Sequence, residues 1–204
     1  MKNFCILFLL LATSVTAQEK KNILIFGDSI TAGFGIEPQQ AFPALIQDRI
    51  DSLGLNFNVI NAGLSGETSA GGLRRIDWVL QRTVDVMILE LGGNDALRGI
   101  DLSTTKENLQ KIIDKVLAKY PEAEIVVAGM QVPPNLGTDY TQQFASIFPE
   151  LAKKNELLLI PFLLEKVGGS TELNQSDGIH PTAKGHALVA ETVWEYLYPV
   201  IKNS

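Results

Sequence analysis

Five short aliphatic runs constrain this chain more than any other feature. They are Ile23–Phe26, Phe57–Ile60, Val84–Glu90, Glu124–Ala128 and Leu157–Ile160. Each is nearly continuous rather than alternating, so a strand built from it has no face to offer to water. Such strands belong in a sheet covered on both sides, the environment that parallel sheets require. Between the runs the hydrophobic period lengthens to that of a helix. Leu109, Ile112, Ile113, Val116, Leu117 and Tyr120 recur on one helical face, with Thr104 and Glu107 spaced as a capping box before it and Pro121 as its stop. Phe144, Ile147, Phe148 and Leu151 form a second face, which Pro149 is expected to break or kink. A last helix is expected from about Pro181 to about Tyr198. Strands alternating with helices predict an α/β fold, a three-layer α/β/α sandwich around a five-stranded parallel sheet. In such sheets ligands bind beyond the C-terminal strand ends, so the residues just after each strand are the ones to examine.

The start of the chain reads differently. Lys2 precedes nine apolar residues, Phe4 to Ala12, and Val15-Thr16-Ala17 ends the stretch with small residues. This pattern predicts a secretory signal peptide over residues 1–17, with residues 18–204 as a single domain. Nine apolar residues are too few to span a bilayer, which takes roughly 20. The one cysteine, Cys5, lies inside that stretch, so the exported domain has no disulfide and depends on its own packing. Lys2 is also the one charged residue there, so its removal makes the net charge of −6 one unit more negative. An acidic domain without basic runs argues against nucleic acid as a partner and against anionic membrane surfaces. The expected product is a soluble, exported monomer, periplasmic or secreted, with no membrane segment in the mature chain.

Four strand-end stretches carry groups with chemistry. Gly27-Asp28-Ser29 follows the first run, and NAGLSGETSAGG, which contains Gly66, follows the second. LGGNDALRG, with Asn94 and Asp95, follows the third, and SDGIHP, with Asp177 and His180, precedes the last helix. Ester hydrolysis needs what these residues offer. A serine hydroxyl is a poor nucleophile unless an imidazole takes its proton. The imidazole needs a carboxylate on its other nitrogen, and Asp177 lies three residues from His180. The tetrahedral intermediate needs donors aimed at its oxyanion, which the Ser29 N–H, the Gly66 N–H and the Asn94 carboxamide can supply. Asp28 and Asp95 read as local scaffolding, Gly63, Gly71 and Gly72 as turn glycines, and His186 as an ordinary helix residue. No cofactor motif is present, and without cysteine ligands or a helical H-E-x-x-H a metal has no support.

These stretches resemble the four sequence blocks of the SGNH (GDSL-type) hydrolase family, in order and at compatible spacing. Gly27-Asp28-Ser29 matches the first block, with Ile30 where that block often has Leu. Gly66 in Ser65-Gly66-Glu67-Thr68 matches the second, Gly92-Gly93-Asn94-Asp95 the third, and Asp177-Gly178-Ile179-His180 the fourth. The similarity runs from about Asn22 to the final helix and is nearest to the periplasmic thioesterase, lysophospholipase and arylesterase branch. It implies a flavodoxin-like SGNH fold, Ser29, Asp177 and His180 as catalytic residues, and Ser29, Gly66 and Asn94 as the oxyanion hole. It further implies a small acyl ester, thioester or lysophospholipid as substrate.

Two other functions fit parts of the pattern. A carbohydrate esterase removing acetyl groups uses the same family chemistry, with a small acyl pocket and a polar groove. A non-catalytic flavodoxin-like module would bind phosphate at the first strand–helix turn. Asp28 would then set a negative charge beside the phosphate, and the Asp177–His180 pair would go unused. Around the strand ends, Leu97, Ile100, Val132, Pro133, Pro134, Leu136 and Tyr140 read as an apolar groove for an acyl chain.

Overall fold

The computed structural model describes residues 19–202, so the expected signal peptide over residues 1–17 lies outside the described residues. The chain opens with β1 (Lys21–Gly27), α1 (Ser29–Ala32), α2 (Phe42–Ser52) and β2 (Phe57–Gly63). It continues through α3 (Ser69–Val79), β3 (Val86–Glu90), α4 (Gly93–Leu97) and α5 (Leu102–Lys119). It closes with β4 (Glu124–Ala128), α6 (Thr138–Lys154), β5 (Leu158–Ile160) and α7 (Ala183–Ile201). The sheet order is β2-β1-β3-β4-β5, and all four pairings are parallel. The five aliphatic runs are thus the five strands. From Ile23 onward β1 is buried throughout, as is the whole of β3, because helices cover both faces of the sheet. The helices α3, α5 and α6 pack in a row, while α2 packs with α7. Right-handed crossovers put these two groups on opposite faces, because the chain leaves β1 in one direction and returns past it to β3. β1 and β3 therefore flank the point where strand order reverses, and the crevice for a ligand opens above them.

Several local expectations are corrected. α5 begins at Leu102 with Asp101 as its cap, whose side chain accepts the Thr104 N–H at 3.0 Å. The Thr104–Glu107 capping box therefore does not form, since the Thr104 amide is already inside the first turn. Pro149 lies within α6 and does not end it. An interior proline costs about 3 kcal/mol. Phe144, Ile147, Phe148 and Leu151 are buried from the same helix, each worth roughly 1.5–3 kcal/mol, so burial outweighs the defect. α7 starts at Ala183 behind a Thr182 cap and runs past Pro199 to Ile201. Gly71 and Gly72 are helical residues of α3 rather than turn glycines. Gly63 ends β2 where a Cβ would stand 2.2 Å from the Ala32 amide nitrogen, so it is required by backbone crowding. His186 is fully buried in α7, where its Nδ1 accepts the Phe42 N–H at 3.2 Å. Burial pulls its pKa down to about 4, so at neutral pH it is an uncharged packing residue.

Candidate active site

The turn after β1 is assembled from below. Gly27 pairs with Glu90 across the parallel ladder, and a Cβ on Gly27 would come within 2.3 Å of Glu90 Oε2. Glu90 Oε2 accepts the Asp28 N–H at 3.0 Å and the Thr31 hydroxyl at 2.7 Å. Asp28 caps α1 through Oδ1, which accepts the Ile30 N–H at 3.0 Å, and its Oδ2 accepts from Asn94 Nδ2 at 2.9 Å. Ser29 is thereby fixed as the first residue of a four-residue helix, 8% exposed. One turn of helix has little macrodipole, so the local N–H is what it offers an anion. Burial raises the pKa of Asp28, and burial reinforced by the Asp28 charge raises that of Glu90 well above the ordinary carboxyl range.

Asn94 lies on α4, and its carboxamide donates to Asp28 with one of its two amide hydrogens. Beside it, Asp95 is fully buried and ties two elements together. It accepts the Ser69 N–H at 2.8 Å and the Ser69 hydroxyl at 2.5 Å, with the Thr105 hydroxyl at 3.3 Å. This occupies Ser69, which is fully buried. Gly66 sits in a tight turn closed by the Glu67 N–H on Leu64 O, at φ +77°. Its need for glycine is conformational rather than a matter of close approach, since the nearest atom to a Cβ there is Arg98 Nη2 at 3.4 Å. Below this turn the Glu67 carboxylate pairs with Arg75, whose guanidinium also donates to Ala62 O at 2.7 Å.

The imidazole comes from the loop before α7. His180 Nε2 lies 2.9 Å from Ser29 Oγ, and His180 Nδ1 lies 2.7 Å from Asp177 Oδ2. The other carboxylate oxygen accepts the Ile179 N–H at 2.9 Å and the His180 N–H at 3.0 Å. The His180 ring bond, followed by these two backbone bonds, holds the Asp177 pKa down to about 2. Asp177 is thus ionised throughout the neutral range, and its charge favours the imidazole tautomer with the proton on Nδ1. That leaves Nε2 able to accept a proton from a hydroxyl.

The five residues read from the sequence as catalytic or oxyanion-binding thus lie on four loops at the C-terminal strand ends. Ser29, His180 and Asp177 form a continuous hydrogen-bonded chain, and Asn94 is bonded to Asp28, the residue before Ser29. Sequence reasoning missed Glu90, although an acid at the end of an otherwise aliphatic run was a visible signal. Phe34, Leu64, Leu97 and Ile179 are exposed apolar side chains on these same connections, and Leu136 is exposed on the connection after β4. Of the residues read as a groove, Leu97 and Leu136 are exposed, while Val132 and Tyr140 pack partly into the core. A cleft of about 530 Å³ opens at the other end of the sheet, between Lys21, Asp85, Lys119 and Glu124, far from this chemistry.

Comparison with known proteins agrees with this geometry. Residues 25–188 match the GDSL-like Lipase/Acylhydrolase family. The chain is 37% identical to Esterase TesA of Pseudomonas aeruginosa, over 97% of this chain and 96% of that protein. It is 36% identical to Thioesterase 1/protease 1/lysophospholipase L1 of Escherichia coli K12, over 97% of this chain and 92% of that one. The solved structure of the psychrotrophic esterase EstA from Pseudoalteromonas sp., inhibited by monoethylphosphonate, superposes with a TM-score of 0.84 at 31% identity. That match covers 90% of this chain and all of EstA. The chain belongs to the GDSL-like lipase/acylhydrolase family and is a carboxylic ester hydrolase.

Proposed function

We propose that this hydrolase cleaves acyl esters and thioesters by covalent catalysis at Ser29, with His180 as base, Asp177 as its orienting carboxylate, and Ser29 N, Gly66 N and Asn94 Nδ2 as oxyanion donors. The observation that carries the reading is the Ser29–His180–Asp177 chain at 2.9 and 2.7 Å. As Ser29 Oγ attacks the acyl carbon, His180 Nε2 takes its proton and later returns it to the leaving alcohol or thiol. Water then repeats the sequence on the acyl-enzyme and releases the carboxylic acid. Asp177 keeps the ring oriented and stabilises the imidazolium formed in each half-reaction. Residues 1–17 act as the export signal, so the enzyme works outside the cytoplasm. Each step is carried by these residues alone, so activity should survive EDTA.

The exposed apolar side chains around Ser29 support an acyl chain rather than an acetylated sugar as the preferred substrate. Each buried methylene contributes about 0.8 kcal/mol, so each added carbon raises kcat/KM by up to roughly fourfold until the surface is covered. Hydrolysis of acyl esters of increasing length, with a thioester, a lysophospholipid and an acetylated sugar, all in EDTA, tests this. Rates should climb from acetyl to medium-chain substrates. Fastest cleavage of the acetylated sugar would hand the assignment to the carbohydrate esterase reading.

A further inference from the structure

Phe34 and Gln175 connect the two halves of the site, yet the reaction as described uses neither. Phe34 stands between Gly33 at φ +75° and Gly35 at φ +78°, a pair of left-handed residues that turn its ring outward. The ring is half-exposed and packs on the His180 imidazole, with centroids 4.6 Å apart and planes at 43°. Its backbone N–H donates to the carbonyl oxygen of Ser29 at 3.0 Å. Its own carbonyl oxygen accepts from Gln175 Nε2 at 2.7 Å, and the same nitrogen donates to Pro181 O at 3.1 Å. The Gln175 backbone N–H then donates to His180 O at 2.7 Å. Gly35 leaves room for the amide, since a Cβ there would stand 2.2 Å from Gln175 Oε1. A strap therefore runs from the Ser29 backbone through Phe34 and Gln175 to the carbonyls of His180 and Pro181.

The chemistry says when such a strap matters. Before reaction the imidazole is located by Asp177, by the Ser29 hydroxyl and by the strap. Once Ser29 is acylated, its Oγ is an ester oxygen with no hydrogen to donate, and that link is lost. Deacylation still needs the base in place. His180 Nε2 takes a proton from water as the water oxygen bonds to the acyl carbon. The intermediate collapses by breaking the bond from acyl carbon to Oγ, the proton passes from Nε2 to Oγ, and the carboxylic acid leaves. Asp177 belongs to the same loop as His180, so it sets the ring relative to the loop and not the loop relative to Ser29. The strap is the link that spans that gap. We propose that Gln175, acting through Phe34, is a positioning residue that holds the His180 loop over Ser29 while the acyl-enzyme is hydrolysed. The proposal rests on the triad reading above.

Steady-state and rapid-mixing kinetics on a nitrophenyl ester, with mass spectrometry of the reacting enzyme, test it in three variants. Gln175→Met keeps similar bulk without a donor, and Gly35→Ala drives a methyl into the Gln175 amide from the other side. Each should lower kcat roughly tenfold or more while kcat/KM, which reports acylation, stays within about threefold. KM falls accordingly, a product burst appears, and the acyl adduct accumulates at steady state. Glu172→Gln, which removes only an exposed ion pair with Lys184 just before the same loop, keeps the strap and should match wild type. Because the two disruptive variants act from opposite ends, either alone carries the test if the other fails to fold. Equal losses in kcat and kcat/KM without a burst, or wild-type values throughout, overturn the proposal. Failure of wild-type enzyme to acylate at Ser29 would instead sink the triad reading itself.

Discussion

The nucleophile side of this site and its base side are built by different means. Asp28, Ser29, Ser69, Glu90 and Asp95 are all buried and are bonded to one another or to neighbouring backbone from three separate chain segments. The base loop is exposed at Asp177, Gly178 and Ile179, and most of the hydrogen bonds of Gln175–Pro181 close within that segment. The difference follows from what each side must do. In the proposed mechanism the oxyanion donors serve a charge that develops at one fixed place, so a rigid setting beneath them costs no reorganisation. The base must exchange proton with serine, leaving group and water in turn, which a ring on a loop can do and a core residue cannot. Precision on one side is supplied by the core, and on the other by short local bonds plus one strap.

The contrast can be broken most sharply at Asn94. In the proposed mechanism its carboxamide is the side-chain oxyanion donor, so Asn94→Ala should lower kcat by roughly 10²–10³ with little change in KM. A much higher KM at unchanged kcat would show that Asn94 holds ground-state substrate instead. Glu90 sharpens the comparison by a smaller effect. Glu90→Ala leaves the buried Asp28 N–H and Thr31 hydroxyl without their acceptor, a loss of roughly 1–3 kcal/mol in stability for each group left unpaired. Glu90→Gln keeps an acceptor oxygen and should be milder at every pH. The pH dependence has a defined sign. The folded state holds the Glu90 proton to higher pH than the unfolded chain, whose carboxyl titrates near 4.5. Stability from this group is therefore full below that value and is lost as pH rises through the raised one. Glu90→Gln, neutral throughout, should flatten this slope in thermal melts. A Gln variant as unstable as the Ala variant at pH 8 would mean that the carboxylate charge itself holds the turn.

How much was legible in the sequence follows the same division. The central strands could be read because a run buried on both faces has no polar positions to blur it, and all five appear close to their expected bounds. β2 extends past Ile60 through Asn61 because it lies at the sheet edge, where a polar residue can face water. The start of α5 was misplaced because Asp101 and Thr104 both have capping side chains three residues before a suitable partner, and only tertiary packing chooses between them. Ser29, Asn94, Asp177 and His180 could be named because each brings a side chain whose chemistry is specific. Phe34 and Gln175 act on backbone carbonyls, which every residue possesses, so nothing in their identities announces the connection. Gly63, Gly71 and Gly72 were misjudged for a related reason: the crowding that demands glycine at Gly63 comes from Ala32, far away in the chain.

The central claim is that Ser29 is the covalent nucleophile, and labelling with a fluorophosphonate followed by peptide mass spectrometry tests it most directly. One adduct per chain should form, on Ser29. It should be absent from Ser29→Ala, whose kcat should fall by about 10³-fold or more at an unchanged melting temperature. An adduct on Ser65 or Ser69, or a Ser29→Ala enzyme that keeps its activity, would contradict the account.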